Sequence, residues 1–597
     1  TSVSAYKSII PFTYTSSKLD KVRREGLIVA ATAGLEFAIH TQGVVIEDTS
    51  ACVDTRDPDK DAIVSFGGVI ETRGYSGKNI CGTLLLAQDN NNPLIGTYFS
   101  SDKNKTDGVS FAIPLWKELL ENMSPTEVLT VENLEPSPSE MDFVDQKLSG
   151  DYHCVGQIAN TRVPYQSSRS KIFPSIIQDE LRKEGVDNVT EPCCLSKMDK
   201  RWVHEKSPLI TGCENLCQPK KDFPVDLEDR VVSAATINIL TYARPIVTLV
   251  GCRTVSEAVC GIANLEEYPP IKRDTSVGWP YNLMKNSKNQ MIRRDDMLNP
   301  VFDDQEQMID CKPEEWFQQD LDEKWRLRAE GRVLPTVFWD HLKDERRKKE
   351  KLRRPGGTRI FSLSPLDFLI QYRQLNMDYI AAWTSGWYDL EHAVGIAVDG
   401  HQWTALANKL LAKGNNIVCL DYSNFGPGLN VRLAEKLDRM NQAWYKKYDQ
   451  NVTSDQNTIR SVMTVEITEP LHLCQDMVYQ TLSGIPSGHP GTTPLNTEVN
   501  KAYIKMCWLG LAPLPSIDLQ TFRENVALFC YGDDLIMSVS DTCITWFNAI
   551  TIMKWFEKFD VIVTPASKSG TMQPFVDLQA ATFLKRGFLP HPQPVCF

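Results

Sequence analysis

The chain lacks any long apolar run. No stretch approaches the eighteen or so residues that a membrane span needs, and the most apolar segment, around 232–264, is broken by Arg244, Arg253 and Glu257. That segment reads as buried helices. Internal repeats, low-complexity tracts and heptads are also missing, which leaves a globular protein. The sixteen cysteines follow no disulfide framework. Several lie inside apolar runs (Cys419, Cys507, Cys530), so buried thiols in a reducing, cytosolic setting are expected. Positive charge is not in surplus: 64 basic against 76 acidic residues give −12, which argues against a protein that coats nucleic acid. Any such site must be a local basic channel. The chain begins with Thr1, and no charged-then-apolar leader is visible.

What is present is length and a normal hydrophobic share, 597 residues at 42%, enough for several domains with developed cores. The clearest boundary is the Pro-, Ser- and Glu-rich stretch 123–150, which reads as a linker. Before it, residues 1–122 carry short runs such as GLIVAATA and AIVSFGGVI between turns, the pattern of an all-β module. After it, residues 151–597 alternate helical and strand patterns, with long helices predicted near 312–331 and 496–511. The fold class is α+β.

Chemistry concentrates at a few points. Tyr531-Gly532-Asp533-Asp534 stands between the apolar runs VALFC and LIMSV and predicts a β-hairpin with two carboxylates at its tip. Taken alone it is also compatible with an ordinary polar turn. A second acid, Asp421, ends the apolar run NIVCL in the same way. Two acidic strand ends side by side would suit a pair of magnesium ions about 4 Å apart, the arrangement used for in-line displacement at phosphorus. Residues 343–359 place nine Lys and Arg in seventeen positions and end in Pro355-Gly356-Gly357 before an apolar strand. The run predicts a hairpin whose charges line a channel and hold the phosphates of an incoming triphosphate. In 483–500, Gly484, Gly488 and Gly491 would let backbone amides approach a ligand, while Ser487, Thr492 and Asn496 offer groups suited to a ribose. Lys568 follows an apolar strand and could act as general acid toward pyrophosphate; Lys585 and Arg586, between aromatic residues, could grip a nucleic-acid backbone. Cys193, Cys194, His204, Cys213 and Cys217 raise the prospect of zinc, although their spacing fits no common pattern and structural thiols are preferred.

The order of these blocks resembles the RNA-dependent RNA polymerases of picorna-like viruses. TSVGWPY (275–281) is similar to the motif where template enters, with Thr275, Ser276 and Gly278 as RNA contacts. KDERR through Thr358-Arg359 is similar to the fingers motif, which implies triphosphate binding by Lys343, Arg347, Lys351 and Arg359. Asp421 with its aromatic neighbour, SGHPGTTPLN (487–496), YGDD (531–534), TPASKS (564–569) and FLKRGF (583–588) resemble the two palm motifs, the metal hairpin, the general-acid motif and the primer grip. The GPG after DYSNF is most similar to insect-infecting dicistroviruses and their relatives. The resemblance implies a right hand of fingers and ferredoxin-like palm over 151–597, with Asp421, Asp533 and Asp534 binding Mg2+, or Mn2+ in its place. It further implies RNA template and primer, nucleoside triphosphates, a small protein primer and a replication complex on host-cell membranes in the cytoplasm. Where picornaviral enzymes carry a second aspartate, this chain has Gly426, so the ribose hydroxyl must be read by Ser487, Thr492, Asn496 or water.

GYSGKNICGTLLL followed by PLIG resembles the nucleophile region of picornavirus-like chymotrypsin-fold cysteine proteases, with Cys81 as nucleophile. Residues 1–122 would then be the carboxyl-terminal barrel of such a protease, its first barrel missing. His40 is the only histidine upstream and lies in a strand pattern, so a thiol without its imidazole, and no proteolysis, is expected. Only nine residues follow the primer-grip block, where the family has a helical thumb, so a polyprotein fragment with a truncated thumb is expected. The expected function is template-directed RNA synthesis. A reverse transcriptase is the nearest enzymatic rival. A catalytically idle RNA-binding precursor and a residual cysteine protease also stay open.

Overall fold

The computed structural model describes residues 148–589 apart from 160–162, 165, 176, 186–187, 515–516 and 566–570; before 148 it describes the backbone of seven strands. The chain divides into two compact units, Thr1–Pro136 and Ser137–Phe597. The division falls within the Pro-, Ser- and Glu-rich stretch.

Among the described residues the first unit is one antiparallel sheet. Its strands stand in the order Phe37–Thr41, Gly26–Ala31, Leu84–Ala87, Leu94–Ser101, Val109–Pro114, Lys60–Arg73 and Glu47–Asp57. His40 lies on the edge strand, its backbone opposite Ile28. Cys81 lies outside the described residues.

The second unit is built around two sheets. A four-stranded antiparallel sheet runs Val526–Tyr531, Asp534–Val539, Ile417–Tyr422, Val563–Pro565. Helix Thr492–Leu511 separates the first strand in sequence from the second, and helix Ala549–Glu557 separates the third from the fourth. In chain order the neighbours are therefore second, third, first and fourth, the βαββαβ arrangement of a ferredoxin-like palm.

Alternate side chains explain why both hairpin strands read as unbroken apolar runs. Leu528, Cys530, Leu535 and Met537 enter the main core, while Ala527, Phe529 and Ile536 enter a second cluster with helix His401–Leu411. A sheet buried on both faces needs no polar alternation.

The other sheet is mixed. Ile360–Leu363 pairs antiparallel with Val337–Leu342, which runs parallel to Leu471–Cys474; Met477–Thr481 and then Tyr152–Gln157 complete it. Leu342 stands opposite Ile360, so the basic run 343–359 is an excursion whose two ends are paired side by side, as its sequence predicts. Helix Glu315–Ala329 packs nearby, anchored by the wholly buried Arg328, which donates to both oxygens of Glu466 at 2.9 and 2.7 Å.

The segment 232–264 meets the expectation of buried helices in part. One helix, Val225–Tyr242, leaves Ile237 exposed, and after Pro245 only the short helix Val255–Cys260 follows. A proline and the polar turns around it interrupt the helix that hydrophobicity alone suggests.

Candidate functional site

Asp421 lies near the end of its strand, opposite Thr564, whose hydroxyl donates to the Asp421 carbonyl at 3.3 Å. On the other side Leu420 pairs with Leu535. One residue further along this antiparallel register Asp421 comes level with Asp534, and Asp533 occupies the adjoining turn closed by the Tyr531–Asp534 pair. The two acids predicted from separate parts of the chain therefore meet at one sheet end. Gly532 adopts the left-handed conformation the turn requires, φ +57.

Two residues that sequence reasoning passed over hold this turn from the helix Thr492–Leu511. Thr497 Oγ1 accepts the Gly532 amide at 2.8 Å. Asn500 Nδ2 donates to the Gly532 carbonyl at 2.9 Å and the Asp534 carbonyl at 3.4 Å, and its Oδ1 accepts the Tyr422 hydroxyl at 3.0 Å. Their signal was available: polar residues three apart, on one face of an otherwise buried helix.

The basic excursion is braced by its own acid. Glu345 accepts both arms of the Arg359 guanidinium and lies 3.8 Å from Lys343 Nζ. Against the upward pull of burial, Arg359, Lys343 and Arg347 together hold Glu345 below the usual carboxylate range. Bonding to Glu345 pushes the Arg359 pKa up, and the charge of Asp533 adds to it. Arg347 Nη1 donates to the Gly357 carbonyl at 2.5 Å, so its guanidinium braces the Pro-Gly-Gly turn. Lys351 is exposed on the short helix Lys349–Leu352.

The 483–500 loop corrects one reading. The space beside its glycines is taken by the protein, not left for a ligand. A Cβ on Gly488 would stand 2.2 Å from the Ser362 carbonyl, and one on Gly491 2.1 Å from the Tyr372 hydroxyl. Ser487 Oγ accepts the Ser362 amide at 3.1 Å, and Thr492 Oγ1 donates to the His489 carbonyl at 2.7 Å. Asn496 is different: its Oδ1 is buried with no partner among the described residues. At Gly426 nothing lies within 4 Å of a built Cβ, so the missing aspartate leaves open space.

At the loop 275–281, Thr275 is exposed and Ser276 partly so, while Arg294 fixes the loop by donating to the Ser276 carbonyl at 3.1 and 2.9 Å. Gly278 is buried at φ +77, where a Cβ would meet the Ser364 carbonyl at 2.5 Å; it shapes the loop. Lys585 and Arg586 project from a two-strand hairpin, Thr582–Phe583 with Arg586–Gly587. Phe588 anchors that hairpin by stacking on Trp403 at 4.7 Å. Arg586 is 3.4 Å from Asp399. Lys568 lies outside the described residues, although the strand leading toward it ends beside Leu420.

Cys193, Cys213 and Cys217 pack in an apolar cluster with Leu195 and Leu352. Burial pushes the Cys217 thiol up to about 12 and Cys194 up to about 11, and His204 Nε2 lies 2.6 Å from the Arg353 carbonyl. Among the described residues no three His, Cys, Asp or Glu side chains converge as a metal site, neither these cysteines nor Asp421, Asp533 and Asp534, whose strand ends adjoin through the backbone register. The cysteines are buried thiols here. No helix is long and apolar enough to cross a membrane among the described residues.

Residues 182–595 match the family described as viral RNA-dependent RNA polymerase. The chain is 33% identical over 597 residues to the genome polyprotein of Deformed wing virus, covering 98% of this chain and 20% of that polyprotein. It is 27% identical over 522 residues to the replicase polyprotein of Cricket paralysis virus, covering 83% of this chain and 28% of that protein. It thus spans only about a fifth to just over a quarter of these relatives. In fold it is similar to the Sicinivirus 3Dpol RNA dependent RNA polymerase, with a TM-score of 0.59 at 21% identity over 75% of this chain and 84% of that one. This right-hand polymerase fold carries its acids on the palm hairpin and its cations on the fingers excursion, and the chain belongs to the viral RNA-dependent RNA polymerase family.

Proposed function

We propose that this chain catalyses template-directed RNA synthesis, in which a primer 3′-hydroxyl attacks the α-phosphate of a nucleoside triphosphate and pyrophosphate leaves. The observation that carries the reading is the meeting of Asp421 with the Asp533–Asp534 turn at one sheet end, in the register of the strands that bear them. Carboxylate oxygens are hard donors and fit Mg2+, with Mn2+ as a substitute. Bound there, two such ions would supply charge stabilisation to the attacking and leaving oxygens.

The remaining roles belong to the chain. Asp421 and Asp533 hold the ions and Asp534 assists. Arg359 and Lys343 take the triphosphate, exchanging Glu345 for phosphate oxygens. Arg347 acts through the turn it braces, and Lys351 adds long-range charge. Asn496, with its unpartnered oxygen, is the best placed of the three ribose candidates; Ser487 and Thr492 shape the loop around it. Lys568 donates the proton to pyrophosphate, Thr275 and Ser276 contact template, and Lys585 and Arg586 hold the primer backbone. Residues 1–122 stand as a protease-derived module, with Cys81 in the place of its nucleophile. A protein primer and host-cell membranes complete the expected surroundings.

Primer extension on an RNA template with ribonucleotides and Mg2+ tests this, comparing the chain with Asp533→Asn and with a version extended at its carboxyl end. Incorporation that disappears in Asp533→Asn at unchanged melting temperature supports the assignment. RNA binding without incorporation, even in the extended chain, would turn the reading toward an idle precursor.

A further inference from the structure

Asn500 stands between the two acidic strand ends and bonds to both. Its oxygen faces the hydroxyl of Tyr422, the residue after Asp421; its nitrogen faces the carbonyls of Gly532 and Asp534, which bracket Asp533. The orientation of the amide is forced, because two carbonyls require a donor and one hydroxyl a matching acceptor. Aspartate there would accept from Tyr422 but repel both carbonyls. Three residues earlier, Thr497 completes the hold by accepting the Gly532 amide while donating to the Thr493 carbonyl at 2.7 Å. Both side chains are wholly buried, so water does not compete for these bonds.

We propose that Thr497 and Asn500 are positioning residues that fix the separation of Asp421 from Asp533 and Asp534, and through it the preference of the site for Mg2+ over Mn2+. This rests on the polymerase reading above. Mg2+ demands near-ideal octahedral geometry at short distance. Manganese, larger and less exacting, accepts a site whose two halves have drifted apart. A turn held only by its own backbone would not keep the tolerance magnesium needs, and neutral bonds from a buried helix supply that rigidity without adding charge to the site. Asn496 lies one turn earlier on the same helix, so the element that holds the acids also carries the unpartnered oxygen proposed to meet the ribose.

The test uses the full chain with Thr497→Val, Thr497→Ser, Asn500→Ala and Tyr422→Phe, and with Asp533→Asn as control. Three readouts are taken: hydrogen exchange of residues 529–535, Mn2+ affinity by electron paramagnetic resonance, and single-nucleotide incorporation with either metal. In Asn500→Ala and Thr497→Val, exchange at the turn should rise about tenfold or more, the equivalent of one lost hydrogen bond. Incorporation with Mg2+ should fall on the order of 10²-fold with nucleotide KM nearly unchanged, and with Mn2+ much less. Mn2+ affinity should fall far less than in Asp533→Asn. Thr497→Ser keeps the hydroxyl and should match the parent, and Tyr422→Phe should shift the metal ratio in the same direction by less. An unchanged exchange rate together with an unchanged Mg2+ to Mn2+ ratio in Asn500→Ala and Thr497→Val would overturn the inference. Parent-level incorporation by Asp533→Asn would instead overturn the assignment of the acids on which the inference rests, and a parent that binds RNA without incorporation would overturn the polymerase reading itself. If incorporation is too slow to follow, exchange at the turn decides, and an unchanged rate in Asn500→Ala and Thr497→Val rejects the inference.

Discussion

The palm turn and the fingers excursion hold charged groups in opposite ways. At the turn, backbone groups beside the acids are bonded by neutral, buried side chains, Thr497 and Asn500. On the excursion, the cations are held by their own charged heads, Arg359 and Lys343 on the shared acid Glu345, with Arg359 itself more than half exposed. A site proposed to keep a fixed spacing is supported through its backbone by neutral side chains that add no charge to it. A site proposed to release one anion for another is held by an ion pair whose cation, Arg359, is exposed while Glu345 is largely covered.

The largest effect that would sharpen this contrast is at the palm. Asp421→Asn should lower incorporation by on the order of 10³-fold or more with an unchanged melting temperature, read by primer extension and calorimetry. Next comes the buried support. Arg328→Met strands Glu466 without its partner and should destabilise the fold by about 3–5 kcal/mol in urea unfolding; adding Glu466→Met should recover most of that loss.

Asp438 gives a pH test in the same core. Burial pushes its carboxyl up to about 6. Between the unfolded value near 4 and that figure, the folded state keeps a proton the unfolded chain sheds, so this contribution is full below about pH 4 and is lost as pH rises through 6. Asp438→Asn cannot ionise, and its stability relative to the parent should therefore improve from pH 4 to pH 7 by up to about 3 kcal/mol. A difference independent of pH would contradict it.

The excursion should respond more gently. Arg359→Ala should raise nucleotide KM about tenfold with kcat little changed, and Glu345→Gln by about threefold in the same direction, because Arg359 loses its orienting partner. If Glu345→Gln instead lowered kcat as much as Asp421→Asn does, the two regions would not differ as argued. Smallest is Arg586→Gln, which should cost less than about 1 kcal/mol of stability yet reduce the salt dependence of RNA binding by about one charge.

The sequence made the elements around the chemistry legible because each is local. Apolar runs flanking Tyr531–Asp534 predict the hairpin, and the Pro-Gly-Gly after eight cations predicts the fold-back that pairs Leu342 with Ile360. The helix expected at 496–511 begins at Thr492, and the one expected at 312–331 spans Glu315–Ala329. What stayed hidden depends on partners far along the chain. Glycines 488 and 491 looked like room for a ligand, but Ser362 and Tyr372, over a hundred positions away, fill it. Thr497 and Asn500 were passed over because their partners, Gly532 and Tyr422, lie 35 and 78 positions away. Spacing shows which face a residue occupies, not what that face meets.

The closed base of the basic excursion has a consequence for how such a protein changes over time. Because residues 342 and 360 are already paired, lengthening or shortening the stretch between them adds only a slowly growing entropy of closure, about 0.6 kcal/mol for each doubling. The exposed tip 353–355 can therefore accept inserted or deleted residues while the sheet beneath keeps its register, so this basic segment can be remodelled without renegotiating the fold.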